Sequence, residues 1–190
     1  MDELINLLKT DASAANAMGA LASAAAAFLA VVVSVLAMFI SFWAVRSQHK
    51  HNELSVRPLA EVTVADYENS LRVKLCNNGN GPMIIKWIEV SNRTKAKTSI
   101  IEFMPILPNN REWTTFSSDL CDRTLKSGDE IVLLELTMND GETNFNKSRD
   151  KVRTALAPLS VRVKYTDIYN KKMPTRIKSL SWFGRHKETD

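Results

Sequence analysis

The sequence contains few cysteines, histidines, glycines and prolines. Its 190 residues include two Cys, three His, six Gly and six Pro. The cysteines, Cys76 and Cys121, have no histidine close by and do not form a zinc motif. A disulfide between them would need an oxidising compartment, and we interpret both as free thiols. No glycine-rich phosphate loop and no internal repeat is present.

The three histidines lie outside the part of the chain that we predict to be globular. His49 and His51 follow a long apolar segment, and His186 lies in a basic tail, which we expect to be disordered. With Glu53, the first two could bind a metal weakly, but we interpret them as polar residues at a membrane interface.

Acid–base chemistry would therefore depend on carboxylates. The tight acidic pairs lie in or beside predicted turns, where capping is the better interpretation; they are Asp119/Asp122 and Asp129/Glu130. The sequence thus predicts no catalytic site, no metal site and no cofactor. A membrane-bound hydrolase is the least favoured of the functions considered.

Charge is scarce at the N-terminus. The first 45 residues hold one base, Lys9, and three acids, Asp2, Glu3 and Asp11, so residues 46–190 hold 24 bases and 18 acids. This surplus suits a domain near anionic lipid. It is far below the dense positive charge of a nucleic-acid-binding protein, so we expect no nucleic-acid partner.

One long segment lacks charge altogether. Residues 18–45 are apolar, and about 20 such residues span the hydrocarbon core of a bilayer. A signal peptide is disfavoured because the segment is too long and has no basic region before it. We predict an extracytoplasmic segment (1–17), a transmembrane helix (18–45), a polar juxtamembrane connector (46–53), a β-sandwich domain (54–182) and a basic tail (183–190).

The charges that flank the span predict its orientation. Arg46, Lys50 and Arg57 follow the segment, whereas Lys9 is the single base before it. Because Lys and Arg are retained on the cytoplasmic side, the N-terminus should lie outside and the β domain in the cytoplasm of a bacterial cell. Trp43 is placed where an interfacial aromatic residue is expected.

A stripe of small residues recurs along the predicted span. Its members alternate at spacings of four and three residues; they are Ser23, Ala27, Ala30, Ser34, Ala37, Ser41 and Ala44. We call this stripe the seam. Small residues let membrane helices approach closely, so the seam predicts self-association or packing against a partner helix. The alternative is a passive anchor whose spacing follows from its alanine content.

Alternating patterns predict an antiparallel, immunoglobulin-like β-sandwich of seven or eight strands with one short helix. The predicted strands are 58–65, 70–77, 83–91, 98–104, 130–138, 159–167 and 174–182, and the helix is 144–156. In the third strand we expect Ile85, Trp87 and Ile88 to point inward.

Short motifs of this region carry a resemblance. They are His-Asn-x-Leu-Ser-Val-x-Pro at 51–58, Asn-Gly-Asn-Gly-Pro at 78–82, Ser-Gly-Asp at 127–129 and Tyr-Thr-Asp at 165–167. In these the chain resembles a scattered group of uncharacterised bacterial proteins with one spanning helix and a C-terminal β domain. We expect Gly79 and Gly81 to adopt positive φ and Pro82 to fix the entry to the next strand.

Basic residues concentrate near the C-terminus, where they could form a patch on anionic lipid or a solvated strand face. They are Lys171, Lys172, Arg176, Lys178, Arg185 and Lys187. Trp182 and Phe183, beside Arg185, favour an interface. The sequence favours a membrane-anchored, non-enzymatic interaction module that binds an unidentified protein. A membrane-disrupting effector of a bacterial phage-defence or toxin system is the alternative.

Overall fold

The computed structural model describes the backbone of residues 2–108 and 111–188 and the side chains of residues 9–108 and 111–185. The chain divides into two compact units, Met1–Asn52 and Glu53–Asp190. We describe them separately.

Helix α1, Asp2–Ser55, begins the chain and is about 80 Å long at 1.5 Å per residue. The predicted connector, residues 46–53, forms its last turns rather than a separate link. Arg, Gln, Lys and Glu are good helix formers, and no glycine or proline interrupts them. Pro58 disfavours helical geometry at Arg57, which explains why the helix ends at Ser55.

The second unit is made of strands and one further helix. The strands are β1 (Ala60–Asp66), β2 (Ser70–Asn77), β3 (Met83–Ser91), β4 (Ala96–Lys97), β5 (Thr115–Phe116), β6 (Thr124–Leu125), β7 (Glu130–Thr137), β8 (Ser160–Thr166) and β9 (Arg176–Ser179). Helix α2, Phe145–Leu156, lies between β7 and β8 in sequence. Short 3₁₀ segments occupy Ile101–Phe103 and Ser181–Glu188.

All strand pairs are antiparallel, and they form two sheets. One sheet has the order β1-β2-β7-β5. The other has the order β4-β3-β8-β9, and β6 also pairs with β3. Apolar side chains of both sheets belong to one buried core, to which α2 adds Phe145, Val152 and Leu156. The predicted mainly β, antiparallel fold with one short helix after a long apolar helix is confirmed.

The alternation of β3 changes phase in the middle of the strand. Ile85 and Ile88 are buried, as predicted, but Trp87 lies under the ammonium of Lys164, 4.6 Å from its ring centroid. A register shift between Ile85 and Trp87 places an extra residue in β3, as in a β-bulge. The prediction that Trp87 points inward was therefore wrong.

Further predictions need correction. Residues 98–104 do not form a strand, because Ser99 and Thr98 bond to the Glu102 side chain and close a 3₁₀ turn. Phe183 is 1 % exposed and belongs to the core, so it is no interface residue. Within the described residues there are nine strands rather than seven or eight, because β4, β5 and β6 are two-residue pairings.

Candidate functional site

Helix α1 carries a long exposed apolar surface. Every side chain from residue 9 to residue 55 is exposed, including Phe28, Ile40 and Trp43 at 70 %, 70 % and 79 %. An 18-residue window of this helix has a mean hydropathy of 2.6 and is 0 % buried. Helix α1 is thus long enough and apolar enough to cross a membrane.

The seam lies on one face of this unbroken helix. Two of its serine hydroxyls donate hydrogen bonds to carbonyls one turn earlier, Ser23 to Gly19 at 2.9 Å and Ser34 to Ala30 at 2.8 Å. A hydroxyl engaged in this way adds little polarity to the helix surface. At these positions the seam carries small side chains whose hydroxyl groups already donate within α1. Such a surface suits close packing of helices more than hydrogen bonding between them.

A shallow apolar groove lies near the C-terminal end of α1. Phe39, Ile40, Trp43, Ala44 and Ser47 line it, and Ala44 is the seam residue among them. Trp43, Arg46 and Lys50 occupy the same end of the helix and are exposed, and Arg57 follows the helix and is exposed as well.

In the β unit, Asn77 is the centre of a buried hydrogen-bond network. Its side chain is 0 % exposed. The amide oxygen accepts from the N–H groups of Leu59 at 3.2 Å and Gly79 at 3.1 Å. The amide nitrogen donates to the carbonyls of Gly81 at 2.8 Å, Lys126 at 3.0 Å and Leu125 at 3.1 Å. One side chain thus ties together three segments that are distant in sequence.

The glycines of the same loop permit a close approach of two backbones. A Cβ on Gly79 would lie 2.4 Å from the Arg57 carbonyl oxygen, and one on Gly81 would lie 1.8 Å from that of Val56. Among described glycines, positive φ occurs at Gly128 and Gly141 and at neither of these positions. The expectation of positive φ at Gly79 and Gly81 was therefore wrong, and what these positions require is the absence of a side chain.

This geometry explains why the motifs at 51–58, 78–82 and 127–129 occur together. Val56, Arg57 and Leu59 pack against the loop 78–82, and Ser127 donates a hydrogen bond to the Gly79 carbonyl at 2.7 Å. The motifs are hence parts of one structural junction. No reactive side chain is required for it.

Replacement of Asn77 by Ala should lower the free energy of unfolding by about 3 kcal/mol, because buried backbone groups lose their partners. Asn78→Ala is the matched control. The side chain of Asn78 is exposed and donates to the exposed Glu61, so its replacement should cost less than about 0.5 kcal/mol. Urea unfolding followed by tryptophan fluorescence measures both, and equal losses would contradict the role assigned to Asn77.

The structure divides the predicted basic patch. Lys171 pairs with Glu53 at 2.7 Å, and Arg185 pairs with the buried Asp66 at 3.2 Å. The backbone of Lys172 forms an isolated antiparallel β-bridge with that of Thr166. The side chain of Lys187 lies outside the described residues. The remaining two bases, Arg176 and Lys178, come together on β9.

Arg176 and Lys178 are exposed, and they share the face of β9 that continues the buried face of β8. They are directly opposite Val163 and Val161 of β8, which are fully buried. They line a cleft of about 330 Å³ between β9 and β1, together with Leu59, Ala60, Val62, Glu61 and Ile177. Sequence analysis missed this arrangement, although the alternation Arg-x-Lys in a short strand was a visible signal for it.

Three of the four acids in the predicted acidic pairs, Asp119, Asp122 and Glu130, have structural partners. Asp119 accepts the Cys121 N–H at 3.2 Å, and the Lys86 ammonium donates to Asp122 at 2.7 Å and lowers the pKa of that carboxyl. Glu130 pairs with Lys74. Cys76 and Cys121 are free thiols. Over the described residues, no group of three or more His, Cys, Asp or Glu side chains is placed to hold a metal ion.

Comparison with known proteins places the chain in a family. The family described as Domain of unknown function (DUF8453) matches residues 19–183, and the chain belongs to it. The match includes both the apolar part of α1 and the two sheets. No curated protein matches the chain, and no solved structure matches it.

Proposed function

We propose that this member of the DUF8453 family is a single-pass membrane protein that acts as a non-enzymatic interaction module. Helix α1 spans the inner membrane of a bacterial cell and associates with a second helix. The β unit lies in the cytoplasm and binds a protein partner. The proposal includes the bilayer as a partner, and it requires no cofactor and no nucleic acid.

The exposed apolar surface of α1 is the observation that carries this proposal. Residues 18–45 extend over about 42 Å as a helix, against about 30 Å of hydrocarbon. None of this surface is buried within the chain. Because the family match begins at residue 19, the apolar helix belongs to the same family domain as the sheets. A targeting segment that is cleaved off would not be expected to belong to the same family domain as the sheets.

The orientation with the β unit inside is supported by the positions of the bases. Arg46 and Lys50 lie on exposed turns of α1 directly after the apolar segment, and Arg57 follows the end of the helix. Lysine and arginine next to a span resist translocation. Trp43, exposed and just before these bases, fits the level of the headgroups.

We infer that the β unit is of immunoglobulin type. In that fold, strands A-B-E-D form one sheet and C-F-G the other, with further strands beside C in variable-type domains. The orders β1-β2-β7-β5 and β4-β3-β8-β9 correspond to A-B-E-D and C′-C-F-G. Sandwiches of this type serve many binding proteins, which agrees with an interaction role without specifying the partner.

Reporter fusions after Asp190 test the proposal. A reporter that fluoresces only in the cytoplasm should be active, and one that works only in the periplasm should be inactive. The protein should also stay in the membrane fraction after alkaline carbonate extraction. Replacing Arg46, Lys50 and Arg57 with Gln should lower the fraction of chains whose C-terminus lies in the cytoplasm. Lys126→Gln is a control remote from the span in sequence. An active periplasmic reporter on the unaltered chain would contradict the orientation.

The seam also supports the second candidate function, a membrane-disrupting effector. In such a protein, clustering of the β units would drive the helices together and damage the bilayer. This function and the interaction module both require association through the seam. They differ in outcome, because induced expression of an effector should depolarise the membrane and stop growth.

A further inference from the structure

We propose that the cleft between β1 and β9 binds an extended acidic peptide segment of a partner protein, which adds as a strand to the free edge of β9. The inference rests on the proposed function, in which the β unit binds a protein. It names the surface and the chemistry of the segment that this surface recognises.

Both walls of the cleft are sheet edges. Among the described strands, β1 pairs only with β2, and β9 pairs only with β8. In an edge strand, alternate residues direct unpaired N–H and C=O groups outward, and such a row accepts an additional strand. The cleft beside β9 holds about 330 Å³, which leaves room for side chains of a short extended segment.

The positive charge in the cleft determines which peptide segments can bind there. Arg176 and Lys178 form no ion pair within the described residues, whereas Lys171, Arg185 and Arg153 each have a carboxylate partner. Glu61, the acid in the cleft wall, accepts a hydrogen bond from Asn78. Two adjacent cations on one face of an edge strand repel basic segments and favour carboxylates.

The pleat of β9 sets the spacing of those carboxylates. Arg176 and Lys178 share one face, and Ile177, between them, lies on the other face and is 62 % exposed. A strand beside β9 therefore places acids at alternate positions opposite the two bases and an apolar residue beside Ile177. The preferred segment reads acidic–apolar–acidic. Leu59, at 41 % exposure in the β1 wall, offers a further apolar contact.

Charged side chains also protect an edge strand against uncontrolled pairing. This protection and the proposed binding use the same residues, because the bases reject an apolar strand and accept one that carries acids. The alternative occupant is anionic lipid, for which the bases would act without strand pairing. The experiment separates these outcomes.

The test is a titration of the full chain in neutral detergent micelles with a labelled peptide, Ser-Glu-Val-Glu-Val-Glu-Ser, read by fluorescence anisotropy. Binding should saturate. The double variant Arg176→Glu/Lys178→Glu should bind at least about tenfold more weakly and should prefer a peptide with Lys in place of Glu. The variant Lys147→Glu/Lys151→Glu carries the same charge change on exposed positions of α2 and should bind normally.

A peptide N-methylated at both valines keeps its charges but loses backbone donors, and it should bind poorly if the segment pairs as a strand. Undiminished binding of that peptide, absence of saturable binding, or binding unchanged in the double variant would each overturn the proposal. Vesicle binding that depends on Arg176 and Lys178, without peptide binding, would assign the cleft to lipid. A pull-down with the unaltered chain and the double variant tests the proposed function separately. If both capture the same partner equally, the proposed function stands, and the cleft is not the binding site.

Discussion

Gly81→Ala is expected to destabilise the β unit severely. The added Cβ would lie 1.8 Å from the Val56 carbonyl oxygen and 2.5 Å from its carbon. Both are backbone atoms, which cannot rotate away as a side chain can. Relief requires separating the segment before β1 from the loop 78–82, and that separation also breaks bonds of the buried Asn77. The expected loss exceeds about 4 kcal/mol, a large share of the stability of a domain this size.

The control for this change is Gly128→Ala. Gly128 has a φ of +77°, but nothing lies within 4 Å of the position of a Cβ. Alanine there suffers only backbone strain, of about 1 kcal/mol. Near-UV circular dichroism and urea unfolding of the full chain in micelles measure both variants. If Gly128→Ala proved the more damaging change, positive φ rather than close approach would govern these glycines.

Ala30→Ile and Ala37→Ile are expected to reduce association of α1 in the membrane to background. Both residues lie on the seam, where packed helices must approach closely, and an isoleucine there acts as a steric block. The hydroxyl of Ser34, between them, donates to its own helix, so it has no donor left to offer a partner helix in compensation. An in-membrane self-association assay with the isolated span measures the effect.

Val32→Ile and Phe39→Ile are the controls, since they also introduce isoleucine but on other faces of the same helix. Association should stay within error of the unaltered span, at equal expression and insertion. Equal signals from all four variants would identify the seam as a consequence of alanine content. Helix α1 would then be an anchor only, and the effector function would lose its physical basis.

Local pattern predicted the long strands well. The predicted bounds of β2 and β3, 70–77 and 83–91, are those of the structure, and the predicted helix 144–156 differs from α2 by one residue. In these segments the alternation or helical spacing of apolar residues reflects direct contact with the core. Glycine and proline between them separated the segments clearly.

The errors share a different cause, which is contact between residues distant in sequence. Trp87 does not point inward as predicted, because a bulge in β3 shifts its register, and that bulge is defined only by the pairing with β8. Asn77 bonds to Leu125 and Lys126, and no sequence spacing connects them. Phe183 enters the core although the basic residues Arg185 and Lys187 follow it closely in sequence. The separation of Arg176 and Lys178 from the other C-terminal bases likewise depends on how β9 pairs.

The strand order described above also bears on the rate of folding. Only β1–β2, β3–β4 and β8–β9 are pairs of neighbours in sequence, whereas the centre of each sheet joins remote strands: β2 with β7, and β3 with β8. Ile84, for example, pairs with Thr166. Chains dominated by such contacts fold in milliseconds to seconds, much more slowly than helices form. Helix α1 would therefore be complete long before the sheets close, and the open edges of β2 and β3 would meet those of neighbouring chains first wherever copies are crowded.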